Sequence, residues 1–316
     1  MPSANPIRFD GRVAIVTGSG SGLGRGYAFL LARLGASVIV NSRTSATTQE
    51  TVSDIINAGG KAVPFVGNVT NPSDAQGIVD AAIKTYGRID IVINNAGWME
   101  SKPFEAITHK ELLDMFDSHV GGSFNVTHAA WPHLKKQKYG RIVMIVSHTM
   151  LGMPNTTAYG GAKMGVMGFA KSLSTEGKEH NILVNSIAVS GYSPGVQAGI
   201  KDEGLLSLMK NVLPAADVAP TVLWLAHEDF KASGEVFSAA GKIVSRIYVA
   251  ETRGFQGSAG EDWTIELIRD SWDQVIDEKD YTVRTTGEQA GPELFARLTA
   301  GQSEVSDDAV RKAMGG

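Results

Sequence analysis

The sequence predicts an α/β fold: a doubly wound parallel sheet of about seven strands with a helical C-terminal appendage. Three observations lead there. Short Val- and Ile-rich runs recur along the chain, longer amphipathic stretches alternate with them, and a glycine-rich turn follows the first run directly.

The runs are VAIVT (13–17), SVIVN (37–41), AVPFV (62–66), IDIVIN (89–94), GRIVMIV (140–146) and ILVNSIAV (182–189), with a seventh short strand in VFSAA (236–240). They show little polar alternation, as expected of strands covered by helices on both faces. Helical stretches lie between them, for example GYAFLLARLG (26–35), SDAQGIVDAAIKTYG (73–87) and the long segment 110–137. Strand, helix and strand in this succession imply right-handed crossovers and a parallel sheet.

Beyond about Gly254 the β-like runs stop and polar residues rise, so the reading divides the chain into 1–254 and 255–316. One amphipathic helix stands out in the second part, with Ile265, Ile268, Trp272 and Val275 spaced by three and four. The stretch GQSEVSDDAVRKAMGG at the end is expected to fray.

Bulk properties narrow the function. With 316 residues and 43% hydrophobic content the chain can bury a sizeable core, and a net charge of -4 argues against nucleic-acid or membrane-surface partners. The basic cluster Lys135, Lys136 and Lys138 reads as the solvated end of a helix. Without cysteine there is no thiolate catalysis and no Cys-ligated zinc, and nothing calls for a metal. No segment has membrane-spanning length, the start MPSANPIRFDG lacks signal-peptide features and the ending MGG is not a peroxisomal tripeptide. A cytoplasmic location is expected, with the peroxisome left open.

The turn TGSGSGLGRG opens the first long helix, with Gly18, Gly22 and Gly24 in the pattern TGxxxGxG and Ser21 and Leu23 between them. Glycines let the backbone turn sharply and approach a pyrophosphate, which the helix N-terminus attracts. At the end of the second strand, where an NAD site places a carboxylate, stand Ser42 and Arg43. A hydroxyl beside a guanidinium suits a 2′-phosphate, so NADP(H) is preferred and NAD(H) remains possible; the plainer reading is a solvent-facing arginine. Asn68 and Val69 follow the third strand, where the Asn amide would meet adenine. Asn95, Ala96 and Gly97 end the fourth, where backbone passes the nicotinamide ribose.

Tyr159 and Lys163 are one helical turn apart, and Ser147 lies twelve residues before Tyr159, just past an apolar run. Taken alone, the pair reads as an ordinary surface pair near a helix start. With TGxxxGxG, NNAG and YxxxK in this order, however, the chain resembles the short-chain dehydrogenase/reductase family over roughly residues 8–250. RFDGRV, GLGRGYA and AAWPHLKKQKYGRIVM look like the (3R)-hydroxyacyl-CoA dehydrogenase branch found in peroxisomal multifunctional enzymes, and the tail is similar there too.

The resemblance implies a Rossmann-type fold and a catalytic set. Tyr159 would exchange the proton of the substrate oxygen, Lys163 would favour the phenolate and hold the nicotinamide ribose, and Ser147 would hydrogen-bond the substrate. It also implies a homodimer or homotetramer formed through segment 110–137 and the helix that begins near Tyr159. His119 stands where most members carry asparagine; it either relays protons or fills a helix kink beside Gly121 and Gly122.

Three departures qualify the pattern. The Ser147-to-Tyr159 spacing is one residue short and leaves Val146 at the strict position, Val189-Ser190 replaces Pro-Gly where the substrate lid starts in GYSPGVQAG, and Ser42-Arg43 replaces an acidic residue. The expectation is therefore a stand-alone, NADP(H)-dependent biosynthetic ketoreductase acting on a small or acyl-type ketone. The alternatives are an NAD-linked (3R)-hydroxyacyl-CoA dehydrogenase and a cofactor-binding protein without redox turnover.

Overall fold

The computed structural model describes residues 6–192, 202–258 and 260–299. By contacts the chain divides into two compact units, 1–246 and 247–316.

In the first unit the strands are β1 (Val13–Val16), β2 (Ser37–Ser42), β3 (Lys61–Val66), β4 (Ile91–Asn94), β5 (Gly140–Val146), β6 (Ile182–Ser190) and β7 (Val236–Ala240), and all seven pair in parallel. An eighth strand, β8 (Ile243–Ile247), completes a sheet of order β3-β2-β1-β4-β5-β6-β7-β8. The seven-strand expectation missed it because IVSRI is exposed and not continuously apolar. Only Gly241 and Lys242 separate it from β7, a connection that allows antiparallel pairing alone.

The helices are α1 (Gly22–Arg33), α2 (Ser45–Asn57), α3 (Pro72–Tyr86), α4 (His109–Phe116), α5 (Gly122–Gln137), α6 (Thr157–Gly177), α7 (Glu203–Val212) and α8 (Ala215–Leu225). Burial explains the strand sequences: every residue of β1, β4 and β5 is buried. Alternate residues such as Ala14 and Val16, Val38 and Val40, and Ile91 and Ile93 join Tyr27 and Leu31 of α1, Ile55 of α2 and Val222 of α8 in one core. The long helix expected over 110–137 is interrupted by a π turn, Asp117–Gly121, between α4 and α5.

The second unit holds β9 (Ala250–Thr252) and β10 (Tyr281–Val283), antiparallel to each other, and β10 lies beyond Gly254, where the sequence suggested that β-structure had stopped. The single amphipathic helix expected here is two short ones, α9 (Ile265–Asp270) and α10 (Trp272–Val275), because Ser271 between them leaves helical geometry. Helix α11 (Ala290–Thr299) follows. Most of the expected lid start, from residue 193 on, and the expected frayed end from residue 300 lie outside the described residues.

Candidate active site

The carboxyl ends of β1, β2, β3 and β4 surround a cavity of about 590 Å³. Gly18 and Gly22 adopt positive φ (63° and 57°), which sends the chain from β1 into α1. A Cβ on Gly20 would fall 2.7 Å from the hydroxyls of Ser42 and Thr47, and one on Gly18 would fall 2.8 Å from Ala96 Cα, so only glycine keeps this floor. Ser21 caps α1 in extended geometry, and its side chain makes no cap hydrogen bond. The first N–H groups of α1 therefore remain for an anion.

Of the sequence-predicted cofactor residues, Gly18, Ser21, Ser42, Arg43, Asn68, Val69, Ala96 and Gly97 line the cavity. Gly22, Leu23, Gly24, Asn95, Tyr159 and Lys163, the rest of that set, are not among its lining residues. Asn95 works as a clamp: its Nδ2 donates to the carbonyls of Thr17 (2.9 Å) and Gly18 (3.3 Å). A Cβ on Gly24 would lie 2.5 Å from both Gly18 O and Asn95 Nδ2, so Gly24 admits that clamp. Thr17, which the motif reading passed over, closes it by accepting the N–H groups of Asn95 and Ala96 at 2.9 Å each. Its place directly before Gly18 was the available signal.

The part of the cavity at the end of β2 has a distinct chemistry. Ser42 Oγ is tied to Thr48 Oγ1 (2.6 Å), donates to Thr44 O (3.1 Å) and accepts Thr44 N–H (3.2 Å), so it shapes the entry to α2. Arg43 is exposed, is the one cation among the described lining residues, and has no carboxylate partner among the described residues. Arg25, by contrast, is paired with Asp54 and Glu50. At the end of β3 Asn68 Oδ1 accepts Thr70 N–H (3.2 Å). The unpredicted Asn125 of α5 donates to the carbonyls of Val69 (3.0 Å) and Thr70 (3.3 Å) and holds that loop.

Beyond Gly97 the lining includes Trp98 and Ser118, and here the second group of residues converges. His119, carried inward by the π turn, uses Nε2–H to donate to Trp98 O at 2.7 Å. This bond leaves Nδ1 a bare acceptor, buried and without a partner among the described residues. A Cβ on Gly97 would fall 2.2 Å from His119 Cε1, so Gly97 makes room for the ring. Burial first, and the charge of Lys163 second, push the imidazole pKa down to about 3. The ring meets Tyr159 edge-on at 5.2 Å between centroids. His119 thus fills the kink as a hydrogen-bonded neutral ring and also presents a free nitrogen beside Tyr159.

Val146 ends β5 fully buried, and Ser147 is the first residue beyond it. The Ser147 side chain favours the Tyr159 phenolate, although the larger effect of burial raises the phenol above its ordinary value. The geometry therefore singles out Ser147 over Val146. Lys163 is buried, donates to Ile145 O at 2.8 Å and sits 5.6 Å from the centroid of the Tyr159 ring. Burial lowers its pKa to about 7. Among the described residues no three His, Asp or Glu side chains cluster as metal ligands, and no helix is long and apolar enough to cross a membrane.

The residues fit a nicotinamide dinucleotide: a glycine floor that any Cβ would fill, open N–H groups at α1, and a tyrosine, lysine and serine at the far end. The short chain dehydrogenase family profile matches residues 12–203, and the chain belongs to this short-chain dehydrogenase/reductase family of NAD(P)-dependent oxidoreductases. It is 36% identical to peroxisomal multifunctional enzyme type 2 of Mus musculus over 87% of this chain and 38% of that protein. It is 35% identical to the peroxisomal hydratase-dehydrogenase-epimerase of Neurospora crassa over 87% of this chain and 31% of that one. The full-length peroxisomal multifunctional enzyme type 2 structure from Drosophila melanogaster superposes with a TM-score of 0.79 at 31% identity, covering 93% of this chain and 50% of that chain. The chain thus spans half or less of the length of these relatives.

Proposed function

We propose that the chain interconverts a 3-hydroxyacyl and a 3-oxoacyl thioester by hydride transfer, with NADP(H) as the preferred carrier. The observation that carries this reading is the meeting of Ser147, Tyr159 and Lys163 at the open end of β5, beside the dinucleotide-sized cavity. The acyl substrate is supported by likeness to relatives named as multifunctional and dehydrogenase proteins, which favour the hydroxyacyl alternative over a stand-alone biosynthetic ketoreductase. NADP(H) is supported by this chain's own residues, the unpaired Arg43 and the absence of a carboxylate on Ser42.

Gly18, Ser21 and the start of α1 would hold the pyrophosphate, Arg43 the 2′-phosphate, the Asn68–Val69 loop the adenine and Ala96 and Gly97 the nicotinamide ribose side. When bound, the nicotinamide supplies or accepts the hydride. Ser147 orients the substrate oxygen, and the Tyr159 hydroxyl gives it a proton in reduction or receives one in oxidation. Lys163, near neutrality in its free site, gains charge when anionic partners approach and then stabilises the phenolate. Exposed Leu113, Phe116 and Phe124 on α4 and α5 support pairing of two copies through these helices. The relatives are named peroxisomal, which keeps that compartment beside the cytoplasm as a place to look.

The test is reduction of 3-oxoacyl-CoA substrates of graded chain length by purified protein with NADPH and with NADH. Tyr159→Phe should cut kcat by about a thousandfold while cofactor affinity holds. Equal rates in the variant would refute the role of Tyr159, and cofactor binding with no turnover of any ketone would refute the redox reading and leave a non-redox binding protein.

A further inference from the structure

The loop from Ser147 to Tyr159 has to keep two reacting groups in register, yet it is built largely from bonds within itself. Thr149 N–H donates to Ser147 Oγ (3.3 Å), Gly152 N–H to Thr149 O (3.0 Å) and Thr156 N–H to Met153 O (3.3 Å). Gly152 (φ 101°) and Asn155 (φ 61°) both take left-handed backbone, so the loop turns sharply twice. Among the described residues one backbone hydrogen bond joins it to a segment outside: Lys102 N–H donates to Asn155 O at 2.7 Å.

Lys102 is itself fixed. Its Nζ pairs with Glu111 Oε1 at 2.6 Å, and Glu111 Oε2 accepts the N–H (2.7 Å) and hydroxyl (2.8 Å) of Thr108. Thr108 Oγ1 accepts Glu111 N–H in return, which completes the capping box of α4. Lys102 above all, then the Thr108 donors, pull the Glu111 carboxyl down to about 2. Helix α4 then carries Leu112 and Met115, which pack with Ile107, Ala158 and Ala162 around the Tyr159 ring.

We propose that Glu111 is a positioning residue for catalysis: one carboxylate starts the helix that backs Tyr159 and, through Lys102, holds the Asn155 peptide in the loop joining Ser147 to Tyr159. A capping residue that only stabilised α4 would need no partner on the far segment. Here its second oxygen reaches across nine residues to the one chain that grips the catalytic loop. The inference rests on the catalytic reading of Tyr159.

The experiment compares Glu111→Gln, Lys102→Met and Lys102→Arg in the full chain, with kcat, KM, cofactor Kd and melting temperature measured for each. Gln keeps an acceptor for Thr108 and drops only the ion pair; Met removes the pair from the other side. Both should lower kcat by about tenfold to a hundredfold, with cofactor Kd changed by less than about twofold, and Lys102→Arg should restore most of the loss. Wild-type kcat in both Glu111→Gln and Lys102→Met overturns the proposal, as does a loss that follows melting temperature and cofactor binding alone. Tyr159→Phe is run beside them. If it stays active the catalytic reading fails; if it is dead while Lys102→Met is fully active, only the positioning role of Glu111 fails.

Discussion

The two ends of the same parallel sheet treat charge in opposite ways. At the amino ends of β1, β4 and β5, Asp90 is fully buried and surrounded: Arg88 grips it through two nitrogens (2.8 and 2.7 Å), Arg12 donates at 3.1 Å and Val13 N–H at 2.9 Å. Arg12 also meets Glu228, and Tyr139 lies between the guanidiniums of Arg12 (4.0 Å) and Arg141 (4.4 Å). At the carboxyl ends, among the described residues, His119 Nδ1 is unpartnered, Lys163 holds only a carbonyl and Arg43 faces the cavity without a carboxylate. The Asp90 carboxylate is fully partnered in the free chain, although Arg141 Nε at the same end is buried without a partner among the described residues. The carboxyl ends, by contrast, leave a cation and an imidazole nitrogen facing the cavity region unpaired. On the function proposed above, the difference separates residues that hold the fold from residues that meet a ligand, although both sets are polar and several are buried.

The largest expected effect breaks the amino end. Asp90→Ala leaves Arg88 and Val13 N–H without their acceptor and should cost about 3–5 kcal/mol of stability, read as a lower urea midpoint. Turnover per folded molecule should be unchanged, since nothing at this end touches the cavity; a fall in turnover at full folding would show that the two ends are not independent. The next effect sharpens the open end. Lys163 titrates near 7 in the folded chain and near 10.4 when unfolded, so the unfolded chain holds the extra proton between those values. Stability should therefore rise as pH goes from 7 to about 10, and Lys163→Met should remove that slope and raise stability at pH 7 while abolishing turnover. An unchanged pH slope in the variant would assign the titration to another group.

Much of the sheet was legible because a strand covered on both faces must be apolar throughout, and IVMIV or VAIV can hardly be anything else. Strand β8 was hidden because IVSRI lies exposed beside β7 and carries no such signature. The π turn was hidden for a different reason: one inserted residue leaves the hydrophobic pattern on either side intact, and only the backbone shows that it delivers His119 inward. Glycine spacing announced the dinucleotide turn through steric need, but it did not separate residues that face the cavity from those that hold it. Asn95 and Gly24 belong to the second kind, and Thr17 and Asn125 join them through contacts with distant segments that spacing does not report.

The smallest effect is the most informative about the carrier. Arg43 is exposed and has no carboxylate partner among the described residues, so Arg43→Ala should leave the melting temperature unchanged, unlike Asp90→Ala. A charged hydrogen bond to a phosphate is worth about 1.5–3 kcal/mol, less where water screens it, so NADPH affinity should fall by about tenfold. NADH carries no 2′-phosphate and should bind the variant as it binds the wild-type chain. Quenching of tryptophan fluorescence can follow both titrations, since Trp98 lines the cavity. A wild-type preference for NADH, unaffected by the substitution, would mean that Arg43 faces solvent and that Ser42, without a carboxylate, still admits the ribose hydroxyls. The open end would then be organised around an NAD carrier, and the acyl-thioester assays should be repeated with NADH first.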